Sequence, residues 1–375
     1  MNGHHEIHIF KYILDKKELN ELYVSIIFRT LAFSMIGIFV PLFLFVELNY
    51  SLNFIILYYL IYSLTFLVFT PVGAKLISKI GFKHVILISI PIYVFYFVLL
   101  YLLETNPFLF VFVPAFIGLA DALYWIAFHT DFSIFSQKNK RGKQVGTWYT
   151  LSLLTGLVGP MIGGIVLTFS DFNILFSIVS VLLFGSAIPL FLSKDTKTEY
   201  DFSWSFLKAG SIRDFLSFVA IGVKNMVESV FWPIFIFTIL GFLYISMGSL
   251  FTVLSGVNLI VTYIASKLAD KFNKRKLIKW FAIPNSFVWL IMMFVRTKLE
   301  LFGATFLANF TIIGADLPYM ALTYNKTRKR IDYLIFREMG LCIGRILVLI
   351  LVLLSGSLLS SFFYAAFASL GYILL

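Results

Sequence analysis

Charge is what this chain has least of. Across 375 residues only 13% are Asp, Glu, Lys or Arg, about half the share that keeps the surface of a soluble domain in water. That scarcity excludes a water-soluble globular protein. Cysteine is scarcer still: Cys342 stands alone inside an apolar run, so no disulfide can close within the chain, no thiol metal site can be built, and the redox compartment cannot be read. Loops long enough to fold as separate domains are missing too, and none carries a nucleophile–base or metal-ligand spacing. These gaps argue against an enzyme and against a resident metal or cofactor.

Apolar sequence is present instead: 60% of residues are hydrophobic, 18% are aromatic and the mean hydropathy is +0.94. Runs of about 20 apolar residues, the length that crosses a bilayer, recur along the chain. They place helices near 22–46, 52–72, 85–103, 107–128, 145–169, 172–192, 214–239, 243–264, 277–295, 299–323, 333–354 and 357–375. The first run is too long for a signal-peptide core and follows Asp15, Lys16, Lys17, Glu18 and Glu21, so it reads as a retained first helix. The one polar linker is 194–213, which divides the chain into 1–193 and 214–375.

A net charge of +11 would raise the question of nucleic acid in a soluble protein. Here the bases sit in short loops and report topology. Of the 30 lysines and arginines, Arg29, Lys224 and Arg345 fall inside helices, and Arg296 and Lys298 lie in loops on one face. All the others collect at the opposite face. Bases are retained on the cytoplasmic side, so both termini are expected to be cytoplasmic in an inner (plasma) membrane.

The chain also repeats itself, which decides architecture before any motif does. IFVPLFLF at 38–45 returns as VFWPIFIF at 230–237, and Lys75-Leu76 and Lys79 return as Lys267-Leu268 and Lys271, all at an offset of 192. Ile90-Pro91 matches Ile283-Pro284, and Ala120-Asp121 with Tyr124 matches Ala315-Asp316 with Tyr319 at an offset of 195. Four matches in the same order imply two parallel repeats of six helices each.

After the second helix of each repeat comes a glycine-and-base pattern: Gly73, Lys79, Gly81 and Lys83 in the first copy, Asp270, Lys271 and Arg275 in the second. Gly156, Gly159, Pro160, Gly163 and Gly164 mark the fifth helix. In these features, and over essentially the whole length, the sequence resembles the major facilitator superfamily. Ser78 stands where that family's loop has an acid, and Ala265 and Asn273 where it has glycines. The resemblance implies an all-α membrane protein of twelve transmembrane helices, two pseudo-symmetric six-helix bundles around a central cavity. It implies gating loops at the residues just named, a monomer, and small-molecule transport by alternating access. The glycine-proline pattern is similar to that of the family's antiporters, although the eleventh helix lacks a glycine-proline counterpart and the fourth lacks the arginine of drug antiporters.

An ionisable group at membrane depth costs at least about 2.5 kcal/mol on insertion scales and marks a functional site by default. Arg29, Asp121, Lys224, Glu228 and Asp316 lie in the first, fourth, seventh and tenth helices, which the resemblance places around the cavity; Arg345, and Glu338 beside Arg337, lie in the eleventh. At 1.5 Å per residue, Arg29, Asp121 and Asp316 share a layer roughly 10 Å deep. They are candidate substrate- and proton-binding groups, with static helix-holding pairs as the alternative. Lys224 and Glu228 share a helix face at i and i+4, and Glu228 is the candidate protonation site. His4, His5 and His8 read as a tail, and Trp204, Phe206 and Leu207 as an interfacial segment.

The expected partners are a small-molecule substrate, a proton or other coupling ion, and the lipid bilayer, without nucleic acid. Arg29 and Lys224 suit an anion, whereas Trp125, Trp148 and Trp232 suit an amphipathic or aromatic solute. Efflux and uptake both stay open. A polytopic membrane enzyme and a transporter-like receptor or scaffold are the competing classes.

Overall fold

The computed structural model describes residues 17–135, 141–191, 204–271, 273–327 and 330–375. Among them are twelve helices in two six-helix bundles and no strand. Helix α1 runs from Lys17 to Glu47, α2 is Leu52–Ile80, α3 Phe82–Leu102, α4 Phe112–Phe135, α5 Arg141–Phe169 and α6 Phe172–Ala187. The second bundle holds α7 from Ile212 to Leu240, α8 Tyr244–Lys271, α9 Lys274–Met292, α10 Lys298–Thr327, α11 Ile331–Ser355 and α12 Ser360–Leu370. Ten of them are long and apolar enough to cross a membrane. The other two are α9, whose first turns carry Lys274, Arg275, Lys276 and Lys279, and the shorter apolar α12.

Packing repeats as the sequence does. In the first bundle α1 packs on α5 and α6, α4 on α2 and α3, and α3 on α6; in the second, α7 packs on α11 and α12, α10 on α8 and α9, and α9 on α12. The bundles meet where α5 packs on α8 and α2 on α11, pairings that the same repeat interchanges. The matching fragments at 38–45 and 230–237 each overlap a π turn, at Phe43–Glu47 in α1 and Val227–Phe231 in α7, although the two turns stand eight residues out of register under the offset of 192. Such bulges alter the helix register locally and recur at functional sites.

Close backbone approach explains the glycines. A Cβ on Gly159 would meet Ser34 Oγ of α1 at 1.8 Å, and one on Gly163 the Met35 carbonyl oxygen at 2.1 Å. Gly164 faces Tyr244 and Gly248 of α8, and a Cβ on Gly248 would meet the Pro160 carbonyl oxygen at 2.4 Å. These residues therefore join α5 to α1 and to the other bundle, whereas Gly156 has nothing within 4 Å. The eleventh helix does the same work without proline: Gly344 would press on the Val219 carbonyl oxygen of α7 at 1.9 Å and Gly340 on Phe218. Small residues four apart suffice for that approach.

One expectation needs correcting. The segments after the second helix of each repeat are not loops. Helix α2 continues to Ile80, eight residues past its apolar run, and α8 continues to Lys271. Hydropathy detects the part that lipid solvates, while the helix carries on into water on its backbone hydrogen bonds. In the first copy the connection shrinks to Gly81, whose φ of 91° only glycine adopts without strain.

Candidate functional site

Arg29 of α1 sits in an aromatic box. Its guanidinium carbon lies 3.6 Å from the ring centre of Tyr124, 4.4 Å from Phe33 and 5.0 Å from Trp125, close enough for the ring faces to hold a cation. It donates to Tyr93 Oη at 2.9 Å and reaches Asp121 Oδ1 at 3.5 Å. Asp121 is well supplied with donors: Tyr93 donates to Oδ1 at 2.5 Å and Tyr62 to Oδ2 at 2.8 Å. Helices α1, α2, α3 and α4 thus converge on one carboxylate.

The second bundle repeats the pair with different surroundings. Lys224 of α7 is completely buried, 3.4 Å from Asp316 Oδ1 and 3.2 Å from Glu228 Oε1. The Tyr372 hydroxyl of the turn after α12 donates to Asp316. Both base–acid pairs span 92 residues, and the offset of 195 maps Arg29 onto Lys224 as well as Asp121 onto Asp316. By that offset Phe33 maps onto Glu228. An aromatic face neighbours the base in one bundle, and a second acid neighbours it in the other.

Between the pairs lies a cavity of about 550 Å³, faced by Arg29, Asp316 and Arg345 among charged groups and by Trp125, Phe128 and Trp148 among aromatic ones. Its floor is a cluster that sequence reasoning missed. His129 of α4 places Nδ1 2.6 Å from Tyr324 Oη of α10 and Nε2 3.2 Å from Arg337 Nη1 of α11. An arginine can only donate, so Nε2 is the unprotonated nitrogen and Nδ1–H donates to Tyr324. Arg337 also bonds Glu338, whose carboxylate lies 3.7 Å from His129. Glu338 is therefore a buried member of this floor and not an interfacial residue. A signal did exist, since His129 and Tyr324 are 195 residues apart, the same offset as the two aspartates. Tyr62, Tyr93 and Tyr372 were missed because phenols on helices read as ordinary lipid-facing or packing residues.

The other expected site residues divide. Lys83 is buried against Glu21 of α1 at 2.8 Å, so it joins α3 to α1, and Lys79 is exposed. Gly73 packs α2 against Ile126 of α4. In the second copy Asn273 takes the glycine position because its side chain caps α9 by accepting from the Arg275 N–H at 2.9 Å; Arg275 itself is exposed. Ser78 bonds the Lys75 carbonyl of its own helix. The side chains of Asp270 and Lys271 lie outside the described residues, as do His4, His5 and His8. At the opposite end from the floor, Tyr244 of α8 donates to Glu47 of α1 at 2.6 Å.

A family model described as the Major Facilitator Superfamily matches residues 22–348. A Bacillus subtilis (strain 168) protein designated Uncharacterized protein YqgE is 27% identical over 288 residues, which take in 71% of this chain and 65% of that relative's length. Among solved structures, the human organic anion transporter MFSD10 superposes with a TM-score of 0.70 at 10% identity, covering 96% of this chain and 99% of that one. The E. coli fucose:proton symporter FucP gives 0.66 at 12%, covering 95% and 96%. A bacterial homologue of the iron transporter ferroportin, in its outward-facing state, gives 0.66 at 15%, again covering 95% and 96%. At these identities the structural likeness concerns the fold alone.

Proposed function

The chain belongs to the major facilitator superfamily, and from that premise we propose that it is a proton-coupled secondary transporter of a small solute. The bundles 1–193 and 214–375, joined by 194–213, would rock about the central cavity to expose it to either side in turn. One observation carries this reading. Two base–acid pairs with the same 92-residue span stand on symmetry-related helices, and the cavity between the bundles is faced by Arg29 and Asp316. Helix-holding pairs would be cheaper as apolar contacts, since a buried ion pair is commonly no better for stability than its hydrophobic replacement.

Coupling to protons is supported by the extra acid. Lys224 is shared between Asp316 and Glu228, so one base faces two carboxylates and a proton completes the balance. Among fold neighbours, FucP is a fucose:proton symporter and MFSD10 an organic anion transporter, consistent with a small solute and with either direction of movement. The basic-residue asymmetry supports cytoplasmic termini in an inner membrane, and a cavity lined by residues of one chain supports a monomer.

The test is reconstitution into proteoliposomes, after a metabolite screen for thermal stabilisation has supplied a solute. A pH gradient should drive accumulation of that solute, and Glu228→Gln should keep binding it while losing the response to the gradient. A stabilising solute that crosses under no gradient and exchanges with no counter-solute would overturn the transporter reading.

A further inference from the structure

Arg29, Arg337, Arg345, Asp316 and Glu338 line the central cavity, Asp121, Lys224 and Glu228 stand behind them as their ion-pair neighbours, and the pairing of these four bases and four acids is uneven. Arg29 pairs with Asp121 and Arg337 with Glu338. Lys224 is claimed by both Asp316 and Glu228. Arg345 of α11 is left over. Among the described residues no carboxylate lies within 4 Å of it; its guanidinium carbon rests 4.9 Å from the ring centre of Phe66 and 6.0 Å from that of Tyr62 across the bundle interface. Its Nη1 is buried without a hydrogen-bond partner, as is Nε of Arg29.

An unpaired cation at membrane depth is costly and marks a pathway for a counter-charge. A guanidinium offers a planar fork that matches a carboxylate or a similar oxyanion. Close by, the cavity presents the amide of Asn225 and the rings of Trp125, Phe128 and Trp148, which suit an apolar or aromatic body. With every group ionised the eight charges sum to zero, so a monoanion entering alone would leave the site negative. One proton on the two-acid side restores neutrality.

We infer that the solute is an amphipathic organic monoanion whose acidic group docks on Arg345, and that it is carried together with one proton bound at Glu228. The proton passes from a hydronium ion of the aqueous phase: one of its O–H bonds breaks, an O–H bond forms on the carboxylate, and water is released. Glu228 takes it in preference to Asp316 because Asp316 is held by the Tyr372 hydroxyl as well as by Lys224, whereas Glu228 has Lys224 alone, 3.2 Å from its Oε1. The groups facing Glu228 are Lys224 of its own helix, Asp316 of α10 and Tyr372 beyond α12. Helix α11 contributes Arg337, Glu338 and Arg345 to the same cavity, and α1 contributes Arg29.

This inference rests on the transporter reading but is tested by binding. Detergent-purified protein is titrated calorimetrically with 1-naphthoate, with its neutral isostere 1-naphthamide, and with 1-naphthylmethylammonium. The expected result is saturable naphthoate binding, at least tenfold tighter than that of the amide. Its affinity should fall by up to about tenfold per pH unit over some part of the range from about pH 5 to 8, the slope of one linked proton. Arg345→Gln should remove the preference for the anion over the amide, Arg345→Lys should retain part of it, and Glu228→Gln should bind naphthoate without the pH dependence. Equal or tighter binding of the amide or the ammonium ion, a pH-independent wild-type affinity, or no saturable binding of naphthoate at millimolar concentration would each overturn it. The acid–amide comparison in the wild type stands even if Arg345→Gln folds poorly. Transport of a neutral or cationic solute without naphthoate binding would remove the anion site and leave the transporter reading intact; naphthoate binding as described without any flux would do the reverse.

Discussion

Lys224 gives the sharpest test of how the buried charges hold the second bundle. Replacing it with Gln leaves Asp316 and Glu228 facing each other without the ammonium that lies 3.4 and 3.2 Å from them. Stranding a buried partner costs about 3–5 kcal/mol. Here the carboxylates keep 32% and 21% of their side-chain surface exposed, so the lower end, about 3 kcal/mol, is appropriate. By the scaling for soluble domains, a chain of 375 residues then loses roughly 4 °C from its melting midpoint in detergent. The two acids are not equivalent. Asp316 retains the Tyr372 hydroxyl, whereas Glu228 has no other partner among the described residues. The double variant Lys224→Gln with Glu228→Gln should therefore recover more of the midpoint than Lys224→Gln with Asp316→Asn. A Lys224→Gln protein that melts like the wild type, or a larger recovery with Asp316→Asn, would refute the reasoning.

Glycine contacts make a second, independent set of expectations. Gly344→Ala and Gly159→Ala should each cost about 1–3 kcal/mol by overpacking and lower folded yield in a fluorescence-detected size-exclusion assay, whereas Gly156→Ala, with open space around it, should leave the yield unchanged. His129→Phe removes both polar contacts to the second bundle, so cysteines placed in the cavity floor should become more reactive from the face where α1 begins. Cysteines at Glu47, Glu104 or Asp171 should be labelled by an impermeant reagent from outside intact cells, and ones at Lys140 or Lys329 should not; outside labelling of Lys140→Cys would reverse the proposed topology.

Helix number and order were legible because a bilayer imposes one length and one polarity on every crossing. Helix ends were not, since nothing in the apolar signal marks where a helix such as α2 stops after it leaves lipid. Ionisable residues within apolar runs were equally legible: Arg29, Asp121, Lys224, Glu228 and Asp316 fall into the two clusters their helix numbers imply. What stayed hidden is chemistry carried by residues common in any membrane helix. The phenols of Tyr62 and Tyr93 complete Asp121, and sequence gives no reason to choose them from among 19 tyrosines. Gly340 and Gly344 do not stand out in the sequence because they lack the proline that marks the α5 pattern, although the small residue alone permits the approach.

The repeat constrains motion as well as architecture. Under a two-fold relation a residue touches its own counterpart only near the axis, so the contact of His129 with Tyr324, 195 residues apart, places the axis of the two bundles through the cavity floor. In the proposed rocking motion, opening that face would break this contact, and with it the hydrogen bond from Arg337. At the other face the bundles are bridged by the exposed Tyr244–Glu47 hydrogen bond, which water can replace at little cost. Separating the buried floor exposes an imidazole, an arginine and a glutamate that now satisfy one another, and partial satisfaction of such a network is the expensive condition. The two faces are thus closed by contacts of different kind, a difference the repeat allows because it relates the bundles and not the faces. The second asymmetry lies at the membrane-depth pairs, where Phe33 answers to Glu228, so the second bundle holds one carboxylate more beside its base. A proton can bias the proposed alternation only by binding its two states unequally, and the extra carboxylate beside Lys224 is where such a difference can arise.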